Sequence, residues 1–451
     1  MVRRYAGTVR HILATLVLAA LTAATPAQAP TAAAKRPPNI VLLFSDDAGF
    51  ADFGFQEHAA ADAKPLTPNL DALATGGVRC TDAYVSGAVC SPSRAGLLTG
   101  RYQQRFGHER NIPAGYQKGG MDLGEKTVAD HLRAIGYRTA LVGKWHLGYP
   151  EQYRPNERGF GDFWGLLQGS RNYVPLPKPS FDQVLQHNGK PLPEGGHVTE
   201  RLGEFAAEYV KAHREQPFFL MVSFTATHGP LQPADRDLAE VPEQVEQRRR
   251  KNLGLLVGLD RAVGKILAAI DDAGLADDTL VVFSNDNGGQ TQTGADNGPL
   301  RGRKGMLFEG GVRVPLLARW PSRIPAGTVA REPMILLDLL PTFVVAAGSQ
   351  PSAEWRLDGT DLLPRWTGAE ATLPERSLFW RTSGKNGPVA MRKGAWKLVW
   401  NRQEADPTPR LFDLATDLGE ARDRSAEEPK RLRAMLAELA AWEAELAEPR
   451  W

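Results

Sequence analysis

Four apolar runs that each end at polar, chemically capable residues constrain the fold of this 451-residue chain more than any other feature. Their sequences are NIVLLFSDD (residues 39–47), YRTALVGKWHLG (137–148), PFFLMVSFTATHGP (217–230) and TLVVFSNDNGG (279–289). An uninterrupted apolar run of this kind is typical of a strand that is buried on both faces, as in a parallel sheet. We therefore predict four buried strands in one mainly parallel sheet.

Stretches with helical signals alternate with these runs. TPNLDALATGG (67–77) has proline at its first helical position and a terminal glycine pair, and EKTVADHLRAIG (125–136) has apolar residues at helical spacing. Strand–helix alternation predicts an α/β domain with helices on both faces of the sheet. Ligands of such sheets bind beyond the carboxyl ends of the strands, and all four runs deliver polar residues at that end.

The composition changes near residue 350, where GSQPSAEWRLDGTDLLPRWTG indicates a loop-rich connection. Beyond it, PVAMRKGAWKLVWN (388–401) and PRLFDLATD (409–417) predict short antiparallel strands, and residues 429–447 predict an amphipathic terminal helix. The predicted organisation is an α/β domain at 38–350, a connecting segment at 351–369 and a smaller α+β domain at 370–451.

The N-terminal segment has the features of a signal peptide. Arg3, Arg4 and Arg10 precede an apolar run at residues 12–24, and AQA at 27–29 offers a small-residue cleavage site. The apolar run is shorter than the ~20 residues that span a bilayer, which predicts no stable membrane span. We predict cleavage of residues 1–29 after Ala29, a linker at 30–37, and a periplasmic or secreted mature protein. An uncleaved anchor is the alternative, and the paired arginines leave the Sec and twin-arginine routes open.

The composition favours a globular protein, with 42% hydrophobic and 24% charged residues. The formal net charge is only +2, and no basic stripe interleaves with aromatic residues. These features argue against a protein that binds nucleic acid.

The strand ends supply oxygen ligands. Asp46 and Asp47 end the first run, and Asp286 and Asn287 lie at the end of the fourth. Adjacent carboxylates repel each other unless a positive charge lies between them. An all-oxygen set suits calcium or magnesium better than zinc, because no cluster of histidines and cysteines accompanies it. Asp46-Asp47 alone would also fit a helix cap or a turn; two acidic strand ends in one sheet favour a metal site.

Basic side chains near these strand ends are candidates to surround an anion: Arg94, Lys144, His146, His228 and Lys304. Each of them alone would equally fit a solvated surface residue. A dication flanked by fixed cations is what the cleavage of an anionic ester requires, since it neutralises the oxyanions of the transferring group.

Cys90 is one of only two cysteines, and it opens a predicted helix in VCSPSRAGLLTGR (89–101). The dipole at a helix N-terminus and the nearby Arg94 would activate a thiolate. A soft thiolate is nevertheless a poor match for a hard, oxygen-ligated metal, and an oxygen nucleophile would fit better. A disulfide with Cys80 is the alternative in an exported protein, although it would leave no nucleophile. Otherwise Cys80 would pack as a small apolar residue on a strand at 78–85.

Together these motifs resemble the signature of formylglycine-dependent sulfatases of the alkaline phosphatase superfamily. The resemblance rests on CSPSR followed by AGLLTGR, with GKWHLG, THGP, NDNGG and RGRKG in the expected order across residues 38–450. It implies an alkaline-phosphatase-like fold and a sulfuric ester hydrolase of arylsulfatase type. It also implies that a formylglycine-generating or sulfatase-maturating enzyme oxidises Cys90 to Cα-formylglycine.

The resemblance further implies a role for each candidate residue. The formylglycine hydrate at position 90 would bind calcium, or alternatively magnesium, together with Asp46, Asp47, Asp286 and Asn287. Arg94 would stabilise the hydrate, Lys144 and Lys304 would bind the sulfate oxygens, and His146 would assist collapse of the covalent sulfate intermediate. His228 would contact the substrate and protonate the departing alcohol.

The substrate class is less constrained than the reaction. Export and the resemblance favour a sulfated carbohydrate, with an aryl sulfate as a surrogate. A phosphate or phosphonate ester hydrolase on the same fold and an inactive binding protein are the alternatives. Residues 161–197 predict a loop over the pocket, in which Trp164 or Tyr173 would either stack on a substrate ring or pack beneath the loop.

Overall fold

The computed structural model describes Met1, Gly7 and residues 36–451 of the chain. The chain divides into two units, Met1–Arg36 and Pro37–Trp451, and all the strands and helices given below belong to the second. Apart from Met1 and Gly7, the predicted signal peptide at residues 1–29 lies outside the described residues. Among the described residues, no helix combines the length and the apolar character needed to cross a membrane.

Two β-sheets organise the second unit. The strands of the large sheet are β1 Asn39–Ser45, β2 Val78–Tyr84, β3 Arg138–Lys144, β4 Asp162–Leu166, β5 Gln186–His187, β6 Lys190–Pro191, β7 Phe218–Ser223, β8 Thr279–Asn285, β9 Arg313–Arg319, β10 Thr328–Ala330 and β11 Met334–Ile335. The strands of the small sheet are β12 Ser377–Arg381, β13 Val389–Lys393, β14 Trp396–Trp400 and β15 Arg410–Asp413. The order across the large sheet is β10-β2-β9-β8-β1-β7-β3-β4-β5-β6, with β11 beside β2.

The four apolar runs form the adjacent parallel strands β8, β1, β7 and β3 in the middle of the large sheet. All seven residues of β1 and of β8 are buried, as expected for strands covered on both faces. The sheet is mixed because β9 runs antiparallel to both β8 and β2. The prediction of a large, mainly parallel mixed sheet is confirmed.

Helices cover both faces of this sheet. The α-helices are α1 Pro68–Thr75, α2 Cys90–Thr99, α3 Val128–Ala134, α4 Val198–Ala212, α5 Asp235–Leu238, α6 Gln247–Asp272, α7 Glu309–Val312, α8 Leu339–Ala346, α9 Leu363–Trp366 and α10 Pro429–Glu443. Side chains of β1 alternate between two cores because successive residues of a strand point to opposite faces. Val41 and Leu43 share one core with α1, α4 and α6, whereas Leu42 and Phe44 share the other with α2, α3 and α8.

The start of the predicted loop at residues 161–197 is a strand instead. β4 pairs in parallel with β3, so this part of the loop prediction is wrong. The pairing depends on Gly165, since a Cβ atom added there would lie 1.9 Å from the carbonyl oxygen of Gly143. Only a residue without a side chain allows that approach.

The small sheet is an antiparallel meander near the end of the chain. The predicted segments 388–401 and 409–417 form β13, β14 and β15, whereas β12 was not predicted. Trp380 of β12 donates a hydrogen bond from Nε1 to the carbonyl oxygen of Val85, just beyond β2. Trp380 and Trp442 of α10 belong to the same hydrophobic core as α2, so this sheet supports the helix that begins at Cys90.

Candidate active site

The predicted ligands meet because the central strands end at the same level. Ser45 of β1 lies opposite Asn285 of β8, and Phe44 lies opposite Ser223 of β7. Asp46-Asp47 and Asp286-Asn287 therefore leave neighbouring strands side by side. Ser45 also donates a hydrogen bond to the side-chain oxygen of Asn285 at 2.8 Å, which fixes the two strand ends to each other.

The acidic residues form a buried cluster around Cys90. One ligand atom from each of Asp46, Asp47, Cys90 and Asp286 lies within 4.8 Å of the others, and all four residues are buried. Asn287 donates a hydrogen bond from Nδ2 to Asp47 at 2.8 Å. Its Oδ1 atom is buried and accepts no hydrogen bond from the described residues. A buried, unpaired amide oxygen beside three carboxylates is the donor set expected of a site for a hard cation.

Each carboxylate of the cluster has a cationic partner. Lys144 Nζ lies 2.5 Å from Asp46, Arg94 Nη2 lies 2.8 Å from Asp286, and Lys304 Nζ lies 2.7 Å from Asp47. Burial and the neighbouring Asp286 raise the pKa of Asp46. Burial would also raise the pKa of Asp286, but Arg94 and Lys144 outweigh it and hold that pKa below its ordinary value. Asp286 is therefore firmly ionised.

Helix α2 presents Cys90 to this cluster from its first position. The Cys90 thiol donates to Asp46 Oδ1 at 3.6 Å and accepts from Lys304 Nζ at 3.2 Å. Burial, and then the charge of Asp286, raise the pKa of Cys90 to about 12. The expected activation of a thiolate by the helix dipole and Arg94 is thus not met, because burial and the charge of Asp286 raise the pKa of the thiol. An unmodified Cys90 is a neutral thiol at ordinary pH.

The alternative disulfide is absent among the described residues, where Cys80 and Cys90 are both free and buried. Cys80 lies on β2 and is 1% exposed. It packs as a small apolar residue in the core, as predicted.

His146 lies beside the cluster, and contacts of both its backbone and its ring hold it in place. Its backbone adopts a left-handed conformation with φ of 61°, which costs a non-glycine residue of the order of 1–3 kcal/mol. Its carbonyl oxygen accepts a hydrogen bond from Ser91 Oγ at 2.8 Å, and Nε2 lies 3.3 Å from the carbonyl oxygen of Ile112. Burial and the charge of Lys144 lower the pKa of His146 well below its ordinary value, so the imidazole is neutral.

His228 is the more accessible histidine, with a side chain 26% exposed. Its Nδ1 lies 2.7 Å from the carbonyl oxygen of Gly229. A carbonyl only accepts hydrogen bonds, so Nδ1 donates this one. Nε2 lies 3.6 Å from Asp47 at the edge of the cluster.

Comparisons with known proteins agree on one family. The Sulfatase family model matches residues 38–349. Arylsulfatase A of Homo sapiens is 38% identical over 436 residues, which cover 86% of this chain and 83% of that protein. The chain belongs to the sulfatase family. This family membership confirms the predicted enzyme class, a sulfuric ester hydrolase.

Two further similarities support the assignment. N-acetylgalactosamine-6-sulfatase of Homo sapiens is 33% identical to this sulfatase over 371 residues, covering 77% of this chain and 69% of that protein. The crystal structure of Ps i-CgsB in complex with k-i-k-neocarrahexaose superposes with a TM-score of 0.87 at 34% identity, covering 92% and 95% of the two chains.

The sulfatase structure brings all the sequence-predicted site residues to one place: Asp46, Asp47, Cys90, Arg94, Lys144, His146, His228, Asp286, Asn287 and Lys304. The predicted aromatic candidates do not face this place. Tyr173 is 1% exposed, and Trp164 packs between His187 and Phe205. Packing beneath the loop is therefore the correct alternative for both rings.

Sequence reasoning missed several residues that support the site. Ser223 accepts a hydrogen bond from Arg94 Nη1 at 2.5 Å and donates to the carbonyl oxygen of Lys144 at 2.7 Å. Its position at the polar end of the third apolar run was a usable signal. His108 Nε2 lies 2.6 Å from Ser91 Oγ, and Gly169 packs against the ring of His146. For His108 and Gly169 the sequence contains no such signal.

Proposed function

We propose that this sulfatase hydrolyses sulfate esters of carbohydrates, and aryl sulfates as surrogates, with a formylglycine derived from Cys90 as the nucleophile and a calcium ion at the strand ends. The observation that carries the proposal is the position of Cys90. Its sulfur is buried within reach of three carboxylates and Lys304, at the N-terminus of a helix whose sequence is CSPSR. In this setting a thiol is inert, whereas the hydrated aldehyde of formylglycine would supply an oxygen nucleophile.

The donor set fits calcium. Asp46, Asp47, Asp286 and the unpaired Oδ1 of Asn287 would hold the ion, together with the oxygen at position 90. These are all oxygen atoms, as a hard cation prefers, and magnesium is the alternative. When bound, calcium supplies Lewis-acid stabilisation of negative charge on the sulfate oxygens.

The cationic side chains divide into two groups by accessibility. Lys144 and Arg94 are buried behind the carboxylates, and we assign to Arg94 the orientation of the group at position 90. Lys304 lies 3.2 Å from Cys90 Sγ with its side chain 12% exposed, a position that supports direct contact with a sulfate oxygen. Lys144 would act on the sulfate group from the buried side.

The two histidines have different proposed roles. The side chain of His228 is partly exposed, and its Nε2 would donate a proton to the departing alcohol. His146 is neutral and buried, and it would accept a proton from the hydroxyl group at position 90 as the sulfate leaves. In that step the bond between the side-chain carbon and the bridging oxygen would break, sulfate would leave with that oxygen, and the aldehyde would form again. Addition of a water molecule to the aldehyde would then regenerate the hydrate, which is the nucleophile.

The names of two similar proteins support the proposed substrate class. One relative is an N-acetylgalactosamine-6-sulfatase, and Ps i-CgsB was solved in complex with k-i-k-neocarrahexaose. Both names refer to sugars, and the arylsulfatase A relative supports an aryl sulfate as a surrogate substrate.

We also propose that the protein is exported. Arg3, Arg4 and Arg10, the apolar run at 12–24 and the AQA site support cleavage near Ala29 and a periplasmic or secreted enzyme. All proposed site residues fall between Asp46 and Lys304, which supports a catalytic domain at 38–350. In this division residues 351–369 connect it to a supporting domain at 370–451.

The test is expression of the protein with and without a formylglycine-generating enzyme, followed by mass spectrometry of the peptide that contains residue 90. The mass of an aldehyde at position 90 should appear together with hydrolysis of 4-nitrophenyl sulfate and of a panel of sulfated sugars. Cys80→Ser is the matched control, since it replaces the other buried cysteine and should keep both the modification and the activity. Full activity of Cys90→Ala, or a thiol at position 90 in active protein, would refute the proposal. Faster hydrolysis of the phosphate ester of the same alcohol would refute the substrate assignment.

A further inference from the structure

The hydroxyl group of Tyr173 lies beneath the turn that carries His228. Its oxygen is 2.6 Å from the carbonyl oxygen of Thr225 and 2.8 Å from that of His228. Burial, and then the charge of Asp46, raise the pKa of Tyr173 well above its ordinary value, so the hydroxyl keeps its proton. The buried hydroxyl of Tyr173 is therefore shared as a donor between the carbonyl oxygens of Thr225 and His228, the residues on either side of 226 and 227.

The same turn is held on its other side by the end of β1. The backbone N–H of Asp46 donates to the carbonyl oxygen of Ala226 at 2.9 Å, and the N–H of Thr227 donates to the carbonyl oxygen of Asp46 at 2.6 Å. Asp46 is itself a proposed metal ligand. Residues 225–228 thus lie between the strand end that carries the ligands and the hydroxyl of Tyr173.

The ring of His228 follows the position of this backbone. Nδ1 bonds the carbonyl oxygen of the next residue, Gly229, at 2.7 Å, so the imidazole is oriented by the turn itself. On the side of the metal ligands, Nε2 lies 3.6 Å from Asp47. A displacement of the turn would therefore move Nε2 relative to the bound ester.

Tyr173 is well placed to resist such a displacement. Its own N–H donates to Gln232 Oε1 at 3.1 Å, and its carbonyl oxygen accepts from the N–H of Val198, the first residue of α4, at 2.8 Å. Its ring stacks on His197 with the ring centres 5.2 Å apart. The hydroxyl is therefore attached to a fixed part of the scaffold.

We propose that Tyr173 is a positioning residue for His228, which holds the Thr225–His228 turn so that Nε2 points at the oxygen of the departing alcohol. It does not touch the substrate. This inference rests on the proposed role of His228 as the acid in ester hydrolysis.

Tyr173→Phe tests the proposal because it removes a single oxygen atom and keeps the ring. Tyr209→Phe is the matched control, since Tyr209 is also buried but its hydroxyl has no hydrogen-bond partner among the described residues. Proton donation matters most for poor leaving groups, so Tyr173→Phe should lower kcat/KM for a sulfated sugar by about tenfold and for 4-nitrophenyl sulfate by less than about twofold. Tyr209→Phe should leave both values within about twofold of wild type.

The double variant separates this proposal from the proposed function. If His228→Ala lowers kcat/KM more for the sulfated sugar than for 4-nitrophenyl sulfate, adding Tyr173→Phe to it should not widen that difference, since the proton donor has already been removed. A uniform loss on both esters in Tyr173→Phe would make Tyr173 merely structural and overturn the proposal. If His228→Ala itself slows both esters equally, the acid role fails first, and the positioning role fails with it.

Amide hydrogen exchange gives a readout that does not depend on activity. The N–H groups of Thr227 and His228 should exchange faster in Tyr173→Phe than in wild type or in Tyr209→Phe, because the turn has lost one of its two supports. Unchanged exchange at these two amides would overturn the proposal regardless of the kinetic data.

Discussion

Replacement of Gly169 by alanine should displace the ring of His146. A Cβ atom at position 169 would lie 2.4 Å from Cε1, 2.6 Å from Nε2 and 2.7 Å from Nδ1 of that ring. Non-bonded carbon atoms are in favourable contact at about 3.5 Å, so either the ring or the segment around residue 169 must move by about 1 Å. The backbone of Gly169 has an ordinary φ, so the glycine is required by space and not by its conformational freedom.

The ring has little room in which to move. His146 is buried, Ser91 fixes its carbonyl oxygen, and its Nε2 faces the carbonyl oxygen of Ile112. An error of about 1 Å in the placement of a reacting group can cost of the order of 100-fold in rate. Overpacking of this kind also costs about 1–3 kcal/mol of folding free energy. We expect kcat to fall by about 100-fold for both aryl and sugar sulfates, because the proposed role of His146 is in the step after the alcohol has left.

The assay compares variants at equal formylglycine content, determined by mass spectrometry. Gly195→Ala is the matched control, because a Cβ atom there would meet no atom within 4 Å and its φ is also ordinary. It should match wild type in kcat and in the temperature of thermal unfolding. If Gly169→Ala turns over 4-nitrophenyl sulfate within about twofold of wild type, either the ring is not held as described or its position does not limit the rate.

Three further predictions concern the cation site, the buried histidine and the support of Arg94. Asn287→Leu removes the unpaired Oδ1 and should weaken calcium binding by about tenfold or more, measured by calorimetry on chelator-treated protein, with the half-buried Asn156→Leu outside the site as control. Burial lowers the pKa of His108 from 6.5 to about 3. Between these two pH values the unfolded chain therefore binds a proton at His108, whereas the folded protein does not. The free energy of unfolding should therefore fall as the pH falls below about 6.5. Between pH 6.5 and pH 5 it should fall by about 2 kcal/mol more in wild type than in His108→Gln. Parallel curves of unfolding free energy against pH for the two proteins would contradict this. Ser223→Ala leaves Arg94 Nη1 without its closest partner and should cost about 1–3 kcal/mol in chemical unfolding, whereas no change would mean that another group replaces the hydroxyl.

The strand ends could be predicted from sequence because their signal is local. Each apolar run stops at its functional residues, and parallel strands place those residues at one edge of the sheet. This reasoning predicts Asp46, Asp286 and Lys144 as site residues from the sequence alone. Cys90 is predicted from a different local signal, since it is one of two cysteines and the sequence around Pro92 predicts a helix N-terminus there.

The supporting residues His108 and Gly169 could not be predicted, because their contacts join separate parts of the chain. His108 reaches Ser91 only after the segment that follows α2 folds back over the start of that helix. The 26-residue helix α6 was also missed. Its centre, from Leu253 to Asp260, is buried at every position, so the sequence shows a continuous apolar run in place of a 3.6-residue period.

The charges of the site explain why ester binding and cation binding belong together. The three carboxylates Asp46, Asp47 and Asp286 are matched by the three cations Arg94, Lys144 and Lys304, so their formal charges cancel. A divalent ion at the proposed position would leave an excess of positive charge in a buried site, which is costly unless an anion enters with it. The sulfate group of the substrate is such an anion. The same lysines that neutralise the carboxylates would then turn toward the sulfate oxygens. Lys304 is the more accessible of the two, because its side chain is partly exposed and its Nζ lies 3.2 Å from Cys90 Sγ.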